Sequence, residues 1–230
     1  MSVMKIFLAI FAAVSVFHVI CIALRKEKLR QISKVFAMPP LLVAYMAGAG
    51  TLPFFPIPAL ILGWIGDILL LRIDKKNFFQ FGLGAFLLGH LCYIIAFVEC
   101  FGLFGAGGVS ANINLPSLLI FVPPTAVLAM VVFRLIKPTK IMFIPVILYM
   151  TVLLVMNLFG FQLFLNNPGL AGLLILSGCF NFMVSDTILA YYTFRKLKIL
   201  GAILIMVYYL LAQAEIIIGI LLIKSPGLFL

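Results

Sequence analysis

The chain has 230 residues, of which 66% are hydrophobic and 10% are charged, and its mean hydropathy is +1.32. A soluble domain is about half apolar and about a quarter charged, so this composition excludes a soluble enzyme, a disordered chain, a coiled coil and a disulfide scaffold. The net charge of +10 comes from short basic clusters between apolar runs, a pattern that argues against a nucleic-acid partner. We expect a single transmembrane domain over residues 1–230, surrounded by membrane lipids.

Eight apolar runs approach the length of about 20 residues that a helix needs to cross a bilayer. In chain order, the predicted spans are about 4–24, 35–53, 57–73, 78–101, 115–135, 139–160, 169–194 and 199–223. The second span is the least regular, because Pro39-Pro40 lies near its start. The predicted fold class is an all-α membrane bundle of eight transmembrane helices.

The basic residues predict how these spans are oriented. Of the 16 Lys and Arg residues, 14 fall in the loops that follow the first, third, fifth and seventh spans, and the exceptions are Lys5 and Lys224. The first of these loops is predicted to carry Arg25, Lys26, Lys28, Arg30 and Lys34. By the positive-inside rule, the four loops face the cytoplasm and both termini lie on the other side. The predicted location is the bacterial inner membrane, with the endoplasmic reticulum as the alternative.

The two halves of the chain show a weak internal similarity. The spacing from Asp67 to His90 equals the spacing from Asp186 to Tyr209, and Gly66-Asp67 matches Ser185-Asp186 in its apolar surroundings. Both halves run in the same direction, so the pattern favours a parallel 4+4 repeat about an axis along the membrane normal. Chance matches between apolar sequences are the alternative explanation.

Ionisable residues within the predicted spans are candidates for function, because a charge in the membrane is costly and usually faces a protein interior or a watery cavity. These residues are Asp67, His90, Asp186 and Glu215. Asp67 and Asp186 are both expected in the cytoplasmic half at similar depth, where they could meet across the bundle. A buried ion pair with Lys34 or with an arginine is the structural alternative for each aspartate.

Further polar side chains recur at helical spacing in four of the spans. They are His90 and Tyr93 with Phe86 and Phe97 in the fourth, Tyr149 and Asn157 in the sixth, Ser177, Asn181 and Ser185 in the seventh, and Tyr209 and Gln213 in the eighth. These groups are candidates to support the aspartates. Hydrogen bonding between helices is the alternative for the serines and amides, and a structural role is equally open for His90. His18, alone in the first span, is interpreted as structural.

Several catalytic motifs are absent from the sequence, which has no GxSxG elbow, no HExxH, no GxxxxGK[ST] and no GxGxxG. A zinc site needs three or four protein ligands and would require His90 together with both aspartates. We therefore predict no metal and no cofactor.

In its polar positions the chain resembles the lysoplasmalogenase family, the YhhN-like multi-pass membrane proteins. The residues that carry the resemblance are Lys34 with Met38-Pro39, Gly66-Asp67 with Leu69-Leu70, Gly82, Phe86, Gly89-His90, Tyr93, Phe97, Tyr149-Met150, Gly178, Phe182, Ser185-Asp186, Tyr208-Tyr209 and Gln213. They extend from residue 34 to residue 213, and their order and spacing are more specific than any single dipeptide.

The resemblance implies hydrolysis of the vinyl ether bond of a lysoplasmalogen, which gives a fatty aldehyde and glycerophosphoethanolamine or glycerophosphocholine. It also implies eight spans and no required cofactor. The substrate would be a lysophospholipid that reaches the site from within the bilayer. A vinyl ether cleaves by protonation at carbon, a reaction suited to one protonated and one ionised carboxyl group. Asp67 and Asp186 are the predicted catalytic pair.

The remaining candidates are predicted to bind or orient the substrate. Lys34 would hold its phosphate as a point charge, and the supporting set comprises His90, Tyr93, Tyr149, Asn181, Ser185, Tyr209 and Gln213. The rival interpretation is a transporter of a small solute or ion that uses the intramembrane acids. The sequence leaves open which aspartate would donate the proton, the headgroup preference and the oligomeric state.

Overall fold

A computed structural model of the chain describes residues 3–48, 52–72, 75–101, 140–195 and 199–225, together with separate positions between 119 and 134. The described residues form helices and turns without any strand. The helices are α1 (Val3–Ala23), α2 (Glu27–Met46), α3 (Pro56–Leu69), α4 (Lys76–Cys100), α5 (Phe143–Asn166), α6 (Leu170–Arg195) and α7 (Ile199–Lys224). Short 3₁₀ turns at Leu70–Arg72 and Lys140–Met142 follow α3 and precede α5.

Within the described residues, five segments are long and apolar enough to cross a membrane, namely Val3–Ala23, Asn77–Cys100, Phe143–Asn166, Leu170–Thr193 and Ile199–Lys224. They match the predicted first, fourth, seventh and eighth spans to within one residue at each end and the predicted sixth span, 139–160, to within six. The third predicted span, 57–73, corresponds to α3 and its 3₁₀ extension, which is shorter than the others. The fifth, 115–135, lies almost entirely outside the described residues, so the eight-helix bundle and the 4+4 repeat remain predictions.

The second span is where the structure departs from the prediction. A span over 35–53 was expected, but α2 runs from Glu27 to Met46. It begins earlier because Glu27 starts a helical turn in which it binds Arg30 and Gln31, three and four residues later. Lys34 was predicted in a loop and lies instead within α2, where it is buried. The prediction of a loop at this position was wrong.

Helix α2 also contains the two consecutive prolines without interruption. Pro39 has no N–H, so the carbonyl of Val35, four residues earlier, loses its usual helical donor. The indole N–H of Trp64 donates to that carbonyl at 2.7 Å. A side chain of α3 thus satisfies the backbone group that the proline leaves unpaired, and the same bond fixes α3 against α2.

The chain divides into two compact units, Met1–Ala96 with Lys224–Leu230, and Phe97–Ile223. In the first, α1 packs on α2 and α2 packs on α3, while Gly66 on α3 lies against the ring of Phe86 on α4. In the second, α5 packs on α6, and glycines bring α6 close to α7. A methyl group at Gly178 would lie 3.0 Å from the carbonyl oxygen of Ala212, and one at Gly219 would lie 2.8 Å from that of Ala171. Small residues of this kind let membrane helices approach closely.

Candidate functional site

The predicted site residues divide between the two units. Lys34, Asp67, His90 and Tyr93 belong to the first unit. The second unit contains Tyr149, Asn181, Ser185, Asp186, Tyr209 and Gln213. Each unit therefore contributes one of the two predicted catalytic aspartates, and each aspartate is held by a side chain of the preceding helix.

In the first unit, Asp67 forms an ion pair with Lys34. The Lys34 Nζ atom lies 3.4 Å from Asp67 Oδ1, and the two side chains are only 10% and 3% exposed. This pair is the structural alternative considered for Asp67 from the sequence. Removing one partner of a buried pair leaves an uncompensated charge, which costs several kcal/mol, so each residue depends on the other.

The ion pair follows from the bond that accommodates Pro39. Val35, whose carbonyl receives the Trp64 indole N–H, is adjacent to Lys34 in α2. Trp64 precedes Asp67 by three residues, so the two side chains share a face of α3. Anchoring Trp64 at Val35 therefore brings Asp67 to the turn that contains Lys34. Trp64 was not among the predicted site residues, and the sequence signal for it is the lone tryptophan opposite a proline in a helix.

A second contact fixes α2 on the side of α1. The Ser33 hydroxyl donates to the carbonyl of Arg30 at 3.1 Å and lies 2.8 Å from Nδ1 of His18. The hydrogen bond between His18 and Ser33 joins α1 to α2. Both side chains are buried, so α1 holds α2 one residue before Lys34. The structural role interpreted for His18 agrees with this arrangement.

On α4, the predicted stripe of Phe86, His90, Tyr93 and Phe97 is buried along its whole length. The exposed fractions are 7%, 2%, 1% and 0% in that order. The Phe86 ring touches Gly66, the residue before Asp67, and Gly89 faces the carbonyl of Ala59 at the other end of the α3 contact. His90 and Tyr93 thus belong to the helix that packs beside Asp67.

In the second unit, Asp186 has a neutral partner. The Tyr149 hydroxyl of α5 donates a hydrogen bond of 2.7 Å to Asp186 Oδ2. Tyr149 is 6% exposed, whereas Asp186 is half-buried. A phenol supplies one strong hydrogen bond without a balancing positive charge.

The neighbours of Asp186 connect α6 to α7. The Ser185 hydroxyl donates to the carbonyl of Ile205 at 3.0 Å, and the Phe182 ring meets the Tyr209 ring edge-on at 5.7 Å. One turn further along α7, the Gln213 amide lies 3.4 Å from the Tyr209 hydroxyl. Ser185, Tyr209 and Gln213 therefore lie in one buried layer beside the aspartate.

Asn181 belongs to another polar contact of the same two helices. Its side-chain amide donates to Glu215 Oε2 at 2.8 Å, one helical turn beyond Ser185. Asn157 on α5 donates to the carbonyl of Leu153 in its own helix, and not to a neighbouring helix as in the structural alternative considered for it. Glu215 was noted as an intramembrane acid without an assigned role, and it is the partner of Asn181.

The two units thus present two carboxyl groups in different surroundings, one beside an ammonium group and one beside a phenol. Such a difference lets two carboxyl groups take different parts in acid–base chemistry. Within the described ranges, no group of three His, Cys, Asp or Glu side chains is arranged to hold a metal ion. That Asp67 and Asp186 act as a catalytic pair remains a prediction.

Comparison with known proteins identifies the family of the chain. No curated protein and no solved structure matches the chain significantly. The model of the YhhN family matches residues 29–220, which include both aspartates and every predicted supporting residue. The chain therefore belongs to the YhhN family, the family of lysoplasmalogenases.

Proposed function

We propose that this protein is an integral-membrane lysoplasmalogenase. It hydrolyses the vinyl ether bond of a lysoplasmalogen to a fatty aldehyde and glycerophosphoethanolamine or glycerophosphocholine. Its family supports a hydrolase, and its long apolar helices are compatible with a multi-pass membrane protein. The observation that carries the proposal is that two buried or half-buried aspartates on packed helices have partners of different charge.

The reaction requires a proton donor and a stabilising negative charge. Protonation of the β-carbon of the vinyl ether gives an oxocarbenium ion, which water captures to form a hemiacetal. The hemiacetal then separates into the aldehyde and the glycerol hydroxyl, and the proton is returned. Paired carboxyl groups catalyse glycoside hydrolysis through a cation of the same type.

We assign the donor role to Asp186 and the stabilising role to Asp67. Lys34 provides the positive charge that balances Asp67 as a carboxylate within the membrane. Asp186 accepts the Tyr149 hydrogen bond through Oδ2, and a carboxyl group that accepts through one oxygen can carry a proton on the other. The ionised Asp67 stabilises the oxocarbenium ion and accepts a proton from the attacking water.

The other predicted residues receive supporting roles in this mechanism. Lys34 acts through Asp67 as its counter-ion, which replaces the phosphate-binding role expected from the sequence. The remaining groups orient the acids, the water and the glycerol hydroxyl: His90, Tyr93, Tyr149, Ser185, Tyr209 and Gln213. Asn181 acts through Glu215 on the packing of α6 against α7.

The substrate is a single-chain lipid that partitions into the leaflet, so it reaches the site sideways, with its alkenyl chain in an apolar slot between helices. The distribution of basic residues favours a reaction in the cytoplasmic half of the membrane, and the proposed membrane is the bacterial inner membrane. The endoplasmic reticulum membrane is the alternative location.

The test is aldehyde release from lysoplasmenylethanolamine by the purified protein in detergent, with and without a chelator. Asp67→Asn and Asp186→Asn are each expected to lower the rate at least 100-fold, the lower end of what general acid–base groups contribute. Glu27→Gln is the matched control, because it removes an exposed carboxyl group that binds Arg30 and Gln31 on α2, and it should retain the wild-type rate.

Each outcome of this assay discriminates between mechanisms. Activity that survives the chelator and disappears in both aspartate variants supports the metal-free two-carboxylate reaction. Activity retained in either folded variant rules out the pair. Loss on chelation would indicate a metal, and folded wild-type protein that releases no aldehyde would contradict the hydrolase and favour transport, which proteoliposomes would then measure.

A further inference from the structure

The turn between α1 and α2 has an unusual residue at its centre. Arg25 has a φ of 54°, in the left-handed region, and is the single residue other than glycine with a positive φ in the described part of the chain. The Arg25 N–H bonds the carbonyl of Ile22 at 3.0 Å, and the Lys26 N–H bonds that of Cys21 at 2.9 Å. These two bonds form a Schellman helix end, whose left-handed position favours glycine. An arginine is strained there, so its side chain is retained at a cost to stability.

The charges around this turn are unbalanced. Arg25, Lys26 and Lys28 are all exposed, and no ion pair involves them in the described ranges. The next base, Arg30, is neutralised by Glu27, which it binds through two guanidinium nitrogens. Three cationic side chains within four residues are therefore available for an anion.

Apolar side chains are exposed on the same stretch of chain. Leu24 is 63% exposed, and Leu29, Ile32 and Phe36 on α2 are 45%, 56% and 60% exposed. The last three recur at helical spacing and form one face of α2. Unpaired bases beside an apolar face are stable where hydrocarbon meets lipid headgroups, because the apolar face inserts and the long basic side chains reach the phosphates.

We propose that this corner, defined as Arg25, Lys26 and Lys28 with the apolar face of Leu29, Ile32 and Phe36, binds the phosphate group of an anionic bilayer phospholipid. The site is separate from the proposed catalytic residues, and its ligand is a structural or regulatory lipid and not the substrate. A phosphodiester offers oxygens to several bases at once, while its acyl chains lie along the exposed apolar face. A phosphate contact of the Arg25 side chain explains why an arginine, and not a glycine, occupies this left-handed position.

The first test compares two double variants that remove equal charge. Native mass spectrometry of the detergent-purified protein measures its affinity for dioleoylphosphatidylglycerol and for dioleoylphosphatidylcholine. The Lys26→Gln, Lys28→Gln double variant is expected to weaken phosphatidylglycerol binding by about tenfold or more. Each of the two lysines adds to the electrostatic attraction for the lipid phosphate, and the variant loses both contributions. The matched control, Lys75→Gln with Lys140→Gln, alters two exposed bases elsewhere and should change the affinity less than twofold. Equal losses in both double variants would overturn the proposal.

The second test uses the strain at Arg25. Arg25→Gly relieves the left-handed backbone and is expected to raise the Tm of the lipid-free protein by about 2–4 °C while weakening phosphatidylglycerol binding. Arg25→Lys keeps the charge and should keep most of the affinity. An Arg25→Gly variant that binds phosphatidylglycerol as well as the wild type would contradict the proposal, whatever its Tm.

The third test separates the bilayer lipid from the substrate as the source of the phosphate. Lysophosphatidylethanolamine carries the zwitterionic headgroup of a substrate, and it should compete with phosphatidylglycerol weakly, with an affinity at least tenfold lower. Equal competition, together with a raised KM for lysoplasmenylethanolamine in the Lys26→Gln, Lys28→Gln variant, would assign the corner to substrate binding and overturn the separate site. This outcome is independent of whether the aspartates catalyse hydrolysis.

Discussion

Asp67 and Asp186 both lie on a helix that packs against the preceding one, and they differ in what that preceding helix offers. Helix α2 gives Asp67 a buried lysine, whereas α5 gives Asp186 a tyrosine hydroxyl. Asp67 is 2% exposed and Asp186 is half-buried. A charged partner permits deep burial of a carboxylate, since the pair is nearly neutral as a whole, and it makes the two partners depend on each other. A neutral partner orients a carboxyl group without fixing its charge.

The largest expected effect separates the two contacts by stability. Lys34→Met leaves Asp67 buried without its cation and should lower the free energy of unfolding by about 3–5 kcal/mol. Tyr149→Phe removes one hydrogen bond to a half-buried neutral carboxyl group and should cost about 0.5–1.5 kcal/mol. Chemical denaturation in a fixed detergent, followed by tryptophan fluorescence and circular dichroism, measures both.

A double variant tests the reason for this difference. Lys34→Met combined with Asp67→Leu removes both charges, and most of the lost stability should return because neither charge remains buried alone. The double variant should stay inactive, because it lacks the proposed carboxylate. If its stability is no better than that of Lys34→Met, the ion pair does not account for the cost.

The next effect concerns activity in the second unit. Tyr149→Phe keeps the ring but removes the hydrogen bond that holds Asp186. We expect aldehyde release to fall about 10- to 100-fold, because a hydrogen bond to the carboxylate that forms as Asp186 donates its proton is worth about 1.5–3 kcal/mol. The Tm and the circular dichroism spectrum report whether the fold survives. Tyr191→Phe, which alters an exposed tyrosine of the same helix as Asp186, is the control. A folded Tyr149→Phe enzyme with the wild-type rate would exclude this role of the phenol.

The first unit has its own positioning contact in the Trp64 indole. Trp64→Phe leaves the Val35 carbonyl without a donor, because Pro39 cannot supply one, and should cost about 1–3 kcal/mol. Pro39→Ala restores the missing N–H. The cost of Trp64→Phe, measured by denaturation, should therefore be smaller when alanine replaces Pro39.

This double-mutant cycle isolates the hydrogen bond from the packing of the indole ring. Packing is lost equally in both backgrounds, so only the bond contributes to the coupling. An unchanged cost of Trp64→Phe in the Pro39→Ala background would mean that the indole N–H does not replace the proline donor.

Much of this fold follows from the distribution of apolar and basic residues. Helices α1, α4, α5, α6 and α7 are apolar runs bounded by charges or turn residues, and their bounds agree with the predicted spans. The predicted bounds of the second span, 35–53, differ from those of α2 because hydropathy locates the apolar part of a helix and not its first residue. The first turns of α2 are polar and held by Glu27, so they carry no hydropathy signal.

The sequence singles out polar residues that the structure brings into contact, but among their pairings it offers only that of Lys34 with Asp67, as an alternative. Asp67, Asp186, Tyr149 and Lys34 were all singled out, because polar groups in apolar runs are conspicuous. Which of them touch depends on helix rotation, and one residue of slip turns a side chain by about 100°. The contacts that fix this rotation involve backbone carbonyls, as in the Trp64 bond to Val35, and a sequence pattern does not display them.

The smallest expected effect comes from the exposed ion pair at the start of α2, seven residues before the buried one. Arg30 donates two hydrogen bonds to Glu27 and lowers the pKa of that carboxyl group. A carboxyl pKa that is lower in the folded state contributes stability above the unfolded pKa of about 4.3, and this contribution is lost as the pH falls through the folded pKa. The side chain of Glu27 is 61% exposed, so Glu27→Gln should cost at most about 1 kcal/mol at pH 7.

The pH and salt dependence of this cost distinguish the exposed pair from the buried one. The Tm difference between wild type and Glu27→Gln should shrink from pH 7 to pH 3 and also in 1 M salt, because solvent screens the exposed charges. The difference between wild type and Lys34→Met should persist in 1 M salt, since ions do not reach the buried pair. Equal sensitivity of the two differences to salt would contradict the burial of the Lys34–Asp67 pair. It would also remove the contrast between Asp67, which is held by a cation, and Asp186, which is held by a phenol.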